Sequence, residues 1–323
     1  MASDDFIKLA ARINELAQWH FTGIPKIVTD TSDCMRIQRG NIIRLGDRDF
    51  VVEGNKYETR FGISDQPKYW VFGAIDLENG QKKIIKTVFH EEFNVHIGVF
   101  KIRCYRSPEK EAEVLKLVAG DDRFMQGYTI PDTKNNCIRI IDFIKGKSIF
   151  QYVYYIDKNH ERYFYEDLPG ILRNLLSCME AIQFLHDNNT CHGDIRNDHI
   201  LIEPISGKYR WIDFDLNQHV SDFDVWSMGN IINYVAGKGI NSFHSVMKSR
   251  EYSDKVKSSL KSDDGSAFYE YRVINLKKLF PYMPDRLNKI LMHFSIKPQG
   301  SYENMRQLIE DYREMLEADF PSG

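Results

Sequence analysis

The most informative part of this chain reads His192-Gly193-Asp194-Ile195-Arg196-Asn197-Asp198-His199-Ile200-Leu201-Ile202 and, shortly after, Trp211-Ile212-Asp213-Phe214-Asp215. It follows a long apolar helical pattern that ends near residue 186. Asp194 and Asp213 therefore fall on loops beside short strands, where both carboxylates can face one site. Phosphoryl transfer from a nucleotide uses such a pair: one carboxylate orients the attacking hydroxyl, and the other holds a metal ion on the phosphates.

The sequence pattern changes from sheet-rich to helix-rich near residue 145. The N-terminal part predicts a helix over 4–20, two hairpins over 42–52 and 69–88, and a helix that begins at Ser107-Pro108. The part after residue 165 is mostly helical. We therefore predict an α+β chain with an N-terminal extension at 1–56, a sheet-rich part at 57–144 and a helix-rich part at 145–323. The first helix is expected to pack on the fold, with partner binding as the alternative.

Composition indicates an ordinary globular protein of 323 residues. The net charge of -3 gives no electrostatic reason to bind nucleic acid or an anionic membrane, so neither partner is expected. The five cysteines show no C-x-x-C spacing, which argues against a disulfide framework or a cysteine zinc site. No run of about 20 apolar residues or signal peptide is evident, and we expect a cytoplasmic protein.

The stretch at 192–202 resembles the protein-kinase catalytic loop H-R-D-L-x-x-x-N, and 213–215 resembles the D-F-G motif. Residues 141–148 are similar to the kinase hinge, 224–229 to the start of its F helix, and 284–316 to the last helices of bacterial Ser/Thr kinases. The similarity covers roughly 60–318. It implies a two-lobed protein-kinase-like fold, with an antiparallel sheet and one helix in the N-lobe and a mainly helical C-lobe.

In the N-terminal part, Ile84-Ile85-Lys86 looks like the V-A-I-K strand, which implies that Lys86 contacts the nucleotide phosphates. Glu111 is its implied partner, and Glu109 and Glu113 are the alternatives. Alone, Lys86 would read as a surface lysine and Glu111 as a solvated helix residue. The resemblance implies further nucleotide contacts at Lys68, Val71, Ile84, Ile141, Asp142, Ile144 and Leu201.

In the C-terminal part, the resemblance implies that Asp194 aligns the acceptor hydroxyl and that Asp213 binds the metal. Arg196 stands where kinases place a lysine and is expected to contact the transferring phosphoryl group. His199 occupies the position of the metal-binding Asn. Mg²⁺ prefers oxygen ligands, so His199 makes Mn²⁺ an alternative metal. His192 is expected to be structural.

Three further departures from the family concern loops. No glycine-rich loop precedes Lys86: counting back places residues 64–68 at its position, where Pro67 lacks an N–H for phosphate and Lys68 is the compensating contact. A plain hairpin turn is the simpler interpretation of that segment. Gly193 replaces the Arg of H-R-D. Asp213 and Asp224 are separated by 224 − 213 = 11 positions, without an A-P-E motif.

These features predict an ATP-dependent phosphotransferase that uses Mg²⁺ or Mn²⁺ and transfers the γ-phosphate to a hydroxyl on a protein or a small molecule. One alternative is a pseudokinase with a binding or scaffolding role, which the missing glycine loop and His199 favour. Another is a small-molecule kinase similar to aminoglycoside phosphotransferases, which H-G-D, His199 and the short segment after Asp213 favour.

Overall fold

The computed structural model describes residues 2–17, 19–60, 63–97, 100–218, 223–298 and 300–321. The strands are β1 Ile27–Val28, β2 Ile42–Leu45, β3 Arg48–Arg60, β4 Ile63–Asp76, β5 Lys82–Lys86, β6 Glu92–Ile97, β7 Phe100–Arg106, β8 Gly127–Pro131, β9 Cys137–Asp142, β10 Lys147–Ser148, β11 Ile200–Ile202, β12 Tyr209–Trp211 and β13 Leu216–Gln218. The helices are α1 Ala2–Leu16, α2 Pro108–Leu117, α3 Ile149–Tyr154, α4 His160–Glu166, α5 Leu168–Asp187, α6 Phe223–Ala236, α7 Phe243–Lys248, α8 Asp254–Ser259, α9 Asp285–Met292 and α10 Met305–Asp319.

The chain is α+β and divides into two compact units. The first contains 1–91 and 106–144, and the second contains 92–105 and 145–323. Residues 1–56 lie within the first unit, and β3 runs continuously through residue 56. The predicted change from sheet to helix near residue 145 is confirmed by the order of the elements.

The first unit is built on a seven-stranded sheet with the order β1-β2-β3-β4-β5-β9-β8. Only the β1–β2 pair is parallel. Because side chains alternate along a strand, the sheet has two distinct faces. One face buries a continuous apolar cluster formed by Ile37, Ile43, Leu45, Phe50, Val52, Phe72, Ala74, Ile85, Ile138 and Ile140.

The first helix packs on the sheet, as the sequence predicted. Ile13 of α1 is fully buried against Ile42, Val51 and Ile75, with Leu16 at the edge of this cluster. The helix ends at Leu16 and is therefore shorter than the predicted 4–20.

The interpretation of 64–68 as a plain hairpin turn, the alternative to a phosphate-loop position, is wrong because these residues lie within β4. Pro67 pairs with Tyr57 and Arg60 pairs with Ile63, while residues 61–62 lie outside the described residues. In the described register, β5 pairs with β4 only from Val71 onward, so Pro67 lies where β4 is an edge strand. An edge strand tolerates proline because the missing N–H breaks no ladder bond on its open side.

A buried carboxylate ties the segment before β2 to the β8–β9 turn. Asp132 accepts hydrogen bonds from the Thr31 N–H and hydroxyl at 2.7 and 2.8 Å, and from the N–H groups of Lys134 and Asn136 at 2.8 and 3.0 Å. The Asn136 side chain adds another at 2.9 Å. Burial opposes ionisation, but these bonds outweigh it and lower the pKa of Asp132 from 3.8 to about 2.

We expect Asp132→Asn to lower the free energy of unfolding by about 2 kcal/mol at neutral pH, since the folded state holds the ionised carboxyl more strongly than the unfolded state. This stabilisation is complete above about pH 4 and is lost as pH falls through about 2. Thermal unfolding measured in pH steps tests this. The Asp47→Asn variant, on an exposed turn, is the matched control, and equal Tm losses in the two variants would contradict the assignment.

The second unit is mainly helical and is centred on α5. Apolar residues of α5 are buried, among them Leu172, Leu175 and Met179, and α10 packs alongside this helix. Helix α6 is buried along most of its length. Gly229 of α6 faces the Phe294 ring so closely that a Cβ there would lie 2.5 Å from a ring carbon. A glycine is therefore required at this point. No helix in the described part of the chain is both long and apolar enough to cross a membrane.

Candidate functional site

In the first unit, the predicted pair of Lys86 and Glu111 forms. Lys86 ends β5, and Glu111 lies in the first turn of α2, a helix capped by Ser107 and begun by a proline. The Lys86 Nζ lies 2.6 Å from Glu111 Oε1, and both side chains are buried. The alternatives Glu109 and Glu113 are exposed on the same helix. The geometry therefore selects Glu111.

A third charged residue, which the sequence analysis missed, completes this cluster. Arg139 of β9 lies opposite Lys86 in the sheet register and donates from Nε to Glu111 Oε2 at 3.2 Å. Its Nη1 donates to the main-chain carbonyls of Thr87 and Cys137 at 3.1 and 2.9 Å. Arg139 is 1% exposed. One carboxylate thus fixes two buried cations, and the ammonium of Lys86 is held in one position.

Several predicted nucleotide contacts share one face of the sheet. Val71 lies directly opposite Lys86, and Ile84 lies opposite Ile141. Directly paired residues in adjacent strands project to the same side, and residues two apart in one strand do so as well. Val71, Ile84 and Ile141 therefore lie on the face that carries Lys86. Gly73 is paired with Ile84, so the isoleucine has a neighbour without a side chain on this face.

The other predicted contacts of the first unit have varied settings. The Asp142 carboxylate lies 2.6 Å from Lys83 Nζ, and Ile144 is half-buried. Lys68 lies in β4 directly opposite Lys56, a residue that the sequence analysis did not select. Lys56 packs beside Gly73 and 5.1 Å from the centre of the Phe143 ring. Burial lowers the pKa of Lys56.

In the second unit, a buried carboxylate forms hydrogen bonds with the loop that carries Asp194. Asp224, in the first turn of α6, accepts hydrogen bonds from the N–H groups of His192 and Gly193 at 2.8 and 2.9 Å. His186 Nε2 lies 3.0 Å from the same carboxylate. Burial opposes ionisation of Asp224, but the hydrogen bond from His186 and the nearby charges keep its pKa lowered. Hydrogen bonds to Asp224 therefore attach this loop to α6.

We expect Asp224→Asn to lower the free energy of unfolding by about 2 kcal/mol, because asparagine keeps only one acceptor oxygen: one of the two buried hydrogen bonds is lost and the other loses its charge assistance. Amide exchange at residues 192–194 should accelerate in the same variant. Exchange mass spectrometry and urea unfolding measure the two effects. Unchanged exchange at 192–194 would show that Asp224 does not hold this loop. Asp254→Asn, at the start of the short helix α8, is the control.

His199 lies between the two predicted catalytic carboxylates. Its Nδ1 is 2.8 Å from the main-chain carbonyl of Asp194 and 3.7 Å from the Asp194 side chain. Its Nε2 is 3.6 Å from Asp213 Oδ2. Asp213 adopts a left-handed backbone conformation, with φ 69°, a strained geometry that is typical of functional sites. The structure thus brings Asp194, His199 and Asp213 together. His192 is a fully buried ring against Trp211 and Phe214, in agreement with a structural role.

Arg196 is paired with a residue that the sequence analysis missed. Its Nε and Nη2 donate to the two carboxylate oxygens of Asp198 at 2.9 and 2.5 Å. Burial opposes the charge on Arg196, but Asp198, Asp194 and Asp213 together raise its pKa. A guanidinium has five N–H donors, and this bidentate pair uses two. Leu201, the remaining predicted contact, lies in β11 opposite Ser148 and Arg210.

The pair of His199 and Asp213 is chemically suited to a divalent cation. The carbonyl of Asp194 accepts the Nδ1–H of His199, which leaves the lone pair on Nε2, and metal-binding histidines are commonly oriented in this way. Two ligands at about 2.1 Å in octahedral geometry lie about 3 Å apart, so 3.6 Å requires only a small adjustment. The described residues contain no cluster of three or more His, Cys, Asp or Glu side chains able to hold a metal.

Comparison with known proteins finds a similarity to a kinase over part of the chain. The chain is 25% identical over 108 residues to a putative ribosomal protein S6 kinase alpha-2 from Caenorhabditis elegans. The match covers 33% of this chain and 13% of the kinase. No protein-family model matches the chain. The similarity suggests a protein-kinase-like relationship.

Proposed function

We propose that this protein is a metal-dependent phosphotransferase that transfers the γ-phosphate of ATP to a hydroxyl group, and that its two units are the lobes of a protein-kinase-like fold. The observation that carries the proposal is the arrangement of Asp194, His199 and Asp213. The carboxylates of Asp194 and Asp213 each lie within 4 Å of a ring nitrogen of His199. The buried pair of Lys86 and Glu111 and the similarity to a kinase support it.

In this proposal each residue contributes through position and charge. Lys86, fixed by Glu111, contacts the phosphates of ATP. Asp213 and His199 would hold a divalent metal, which would neutralise charge on the phosphates. Asp194 orients the acceptor hydroxyl and accepts its proton, and Arg196 steadies the phosphoryl group through N–H donors beyond the two that Asp198 takes.

A pseudokinase is the second candidate. Two observations favour it: Pro67 stands near the expected phosphate loop without an N–H, and Arg196 already has a carboxylate partner. A fold alone does not decide between a catalyst and a binding module. Turnover therefore has to be measured.

The test follows the γ-phosphate of labelled ATP with Mg²⁺ or Mn²⁺, using Ser/Thr peptides and hydroxyl-bearing cationic small molecules such as aminoglycosides as acceptors. We expect metal-dependent transfer by the natural chain and none by Asp213→Asn. Metal-dependent ATP binding without any transfer would support the pseudokinase. Absence of both binding and transfer would contradict the phosphotransferase and favour a scaffolding role that uses no nucleotide.

We expect His199 to favour Mn²⁺ over Mg²⁺, because imidazole suits the softer ion and Mg²⁺ prefers oxygen ligands. His199→Asn supplies an amide oxygen and should shift the ratio of the two metal activation constants toward Mg²⁺ by about tenfold, a difference of about 1.4 kcal/mol. Metal titrations of turnover or ATP binding measure this. His244→Asn, at an exposed position, is the control. An unchanged ratio would remove His199 from the metal site.

A further inference from the structure

The proposed mechanism gives no role to one hairpin of the structure. Strands β6 and β7 form what we call the inserted hairpin, since in sequence it separates β5, which carries Lys86, from α2, which carries Glu111. Over residues 92–105 it belongs to the second unit. There β7 is the middle strand of a three-stranded sheet with the order β13-β7-β6.

The partner strand β13 begins three positions after Asp213, at Leu216. It has three residues, and β7 is its only neighbour in this described sheet. So short a strand has no independent stability, and its pairing with β7 helps to hold its extended conformation. The backbone that leaves Asp213 is therefore shaped by the inserted hairpin.

Side chains reinforce this pairing. Ile102 and Cys104 of β7 are buried with Leu216 of β13, and Phe93 and Phe223 pack against them. The Asn217 side-chain amide donates to the Tyr105 hydroxyl at 2.9 Å. Burial raises the pKa of the Cys104 thiol, and the nearby charge of Asp194 raises it further. The cluster thus lies within electrostatic reach of the catalytic loop.

We propose that the inserted hairpin positions Asp213 for metal binding, with Leu216 and Tyr105 as positioning residues that act through β13. This inference rests on the proposed function. The segment from Asp213 to Asp224 spans only 11 positions, 224 − 213, and β13 is the strand that lies within it. The hairpin holds one end of this segment through the pairing of β7 with β13.

Two variants test the role of the hairpin. Leu216→Ala removes the apolar contact, and Tyr105→Phe removes only the hydroxyl that accepts from Asn217. Leu287→Ala, which creates a cavity in α9 of the same unit, is the matched control for lost stability. Amide exchange at 214–218 is measured first, without nucleotide. The Mn²⁺ activation constant, the Mn²⁺ concentration that gives half-maximal ATP binding or turnover, is measured next.

We expect exchange at 214–218 to accelerate at least tenfold in Leu216→Ala and about threefold in Tyr105→Phe. The Mn²⁺ activation constant should rise at least fivefold in Leu216→Ala, and saturating Mn²⁺ should restore ATP binding or turnover. Leu287→Ala should change neither the amide exchange at 214–218 nor the Mn²⁺ activation constant. Unchanged exchange in both variants, or a metal constant that moves no more than in the control, would overturn the inference.

The two proposals fail in different ways. If the natural chain shows no metal-dependent ATP binding, the proposed function fails and the positioning role fails with it, whatever the exchange data show. If the natural chain binds metal and ATP but the variants match Leu287→Ala, only the role of the hairpin is wrong.

Discussion

Asp194→Asn is expected to lower kcat for phosphoryl transfer by about 10²–10⁴-fold, the usual contribution of a positioned general base. Asparagine keeps the size of the side chain but cannot accept the proton of the acceptor hydroxyl. The hydrogen bond of His199 to the main-chain carbonyl of Asp194 does not involve the replaced group, so the metal site should persist. ATP binding in the presence of metal is therefore expected to stay within about threefold of the natural chain.

The measurement pairs steady-state turnover with calorimetric ATP binding on the same samples. Asp187→Asn, an exposed change at the end of α5, is the control for charge. Loss of turnover with intact binding supports the assigned role. Undiminished turnover in Asp194→Asn would show that another residue orients the acceptor, and a parallel loss of binding would show that the variant has disturbed the site itself.

Glu111→Gln is expected to lower the free energy of unfolding by about 3 kcal/mol, because Lys86 and Arg139 lose the buried carboxylate that they share. Lys86→Met should destabilise the chain much less, because Glu111 then keeps Arg139. Both variants should weaken ATP binding by about 10- to 100-fold, the effect of losing a charge-assisted contact worth about 1.5–3 kcal/mol.

Urea unfolding separates these two variants. Glu113→Gln, exposed on the same helix, is the matched control and should leave stability within about 0.5 kcal/mol. Equal destabilisation by Glu111→Gln and Lys86→Met would mean that Arg139 does not share the carboxylate in solution. An unchanged stability in Glu111→Gln would contradict the buried cluster altogether.

Local signals in the sequence predicted the main elements well. The apolar periodicity of α5, the Ser107-Pro108 start of α2 and the hairpin around Gly80 all depend on neighbouring residues. The pairing of Lys86 with Glu111 was predicted from motif order, and the structure places the two side chains in contact.

The features that were missed depend on distant partners. Arg139 stands in a strand of isoleucines, and only the register with Lys86 shows that it points toward Glu111. Residues 64–68 have the composition of a turn but lie on a strand edge that tolerates proline. The pairing of β7 with β13 was not predicted, since the two strands lie more than 100 positions apart along the chain. Sequence periodicity carries no information about such pairings.

The most direct test of the central claim is a calorimetric titration of ATP into the full chain, with Mg²⁺, with Mn²⁺ and with chelator. Lys86→Met and Asp213→Asn are titrated beside it. We predict metal-dependent binding by the natural chain, binding at least tenfold weaker in Lys86→Met, and loss of the metal dependence in Asp213→Asn. Absence of binding at millimolar ATP with either metal, or equal binding by all three proteins, would contradict the account.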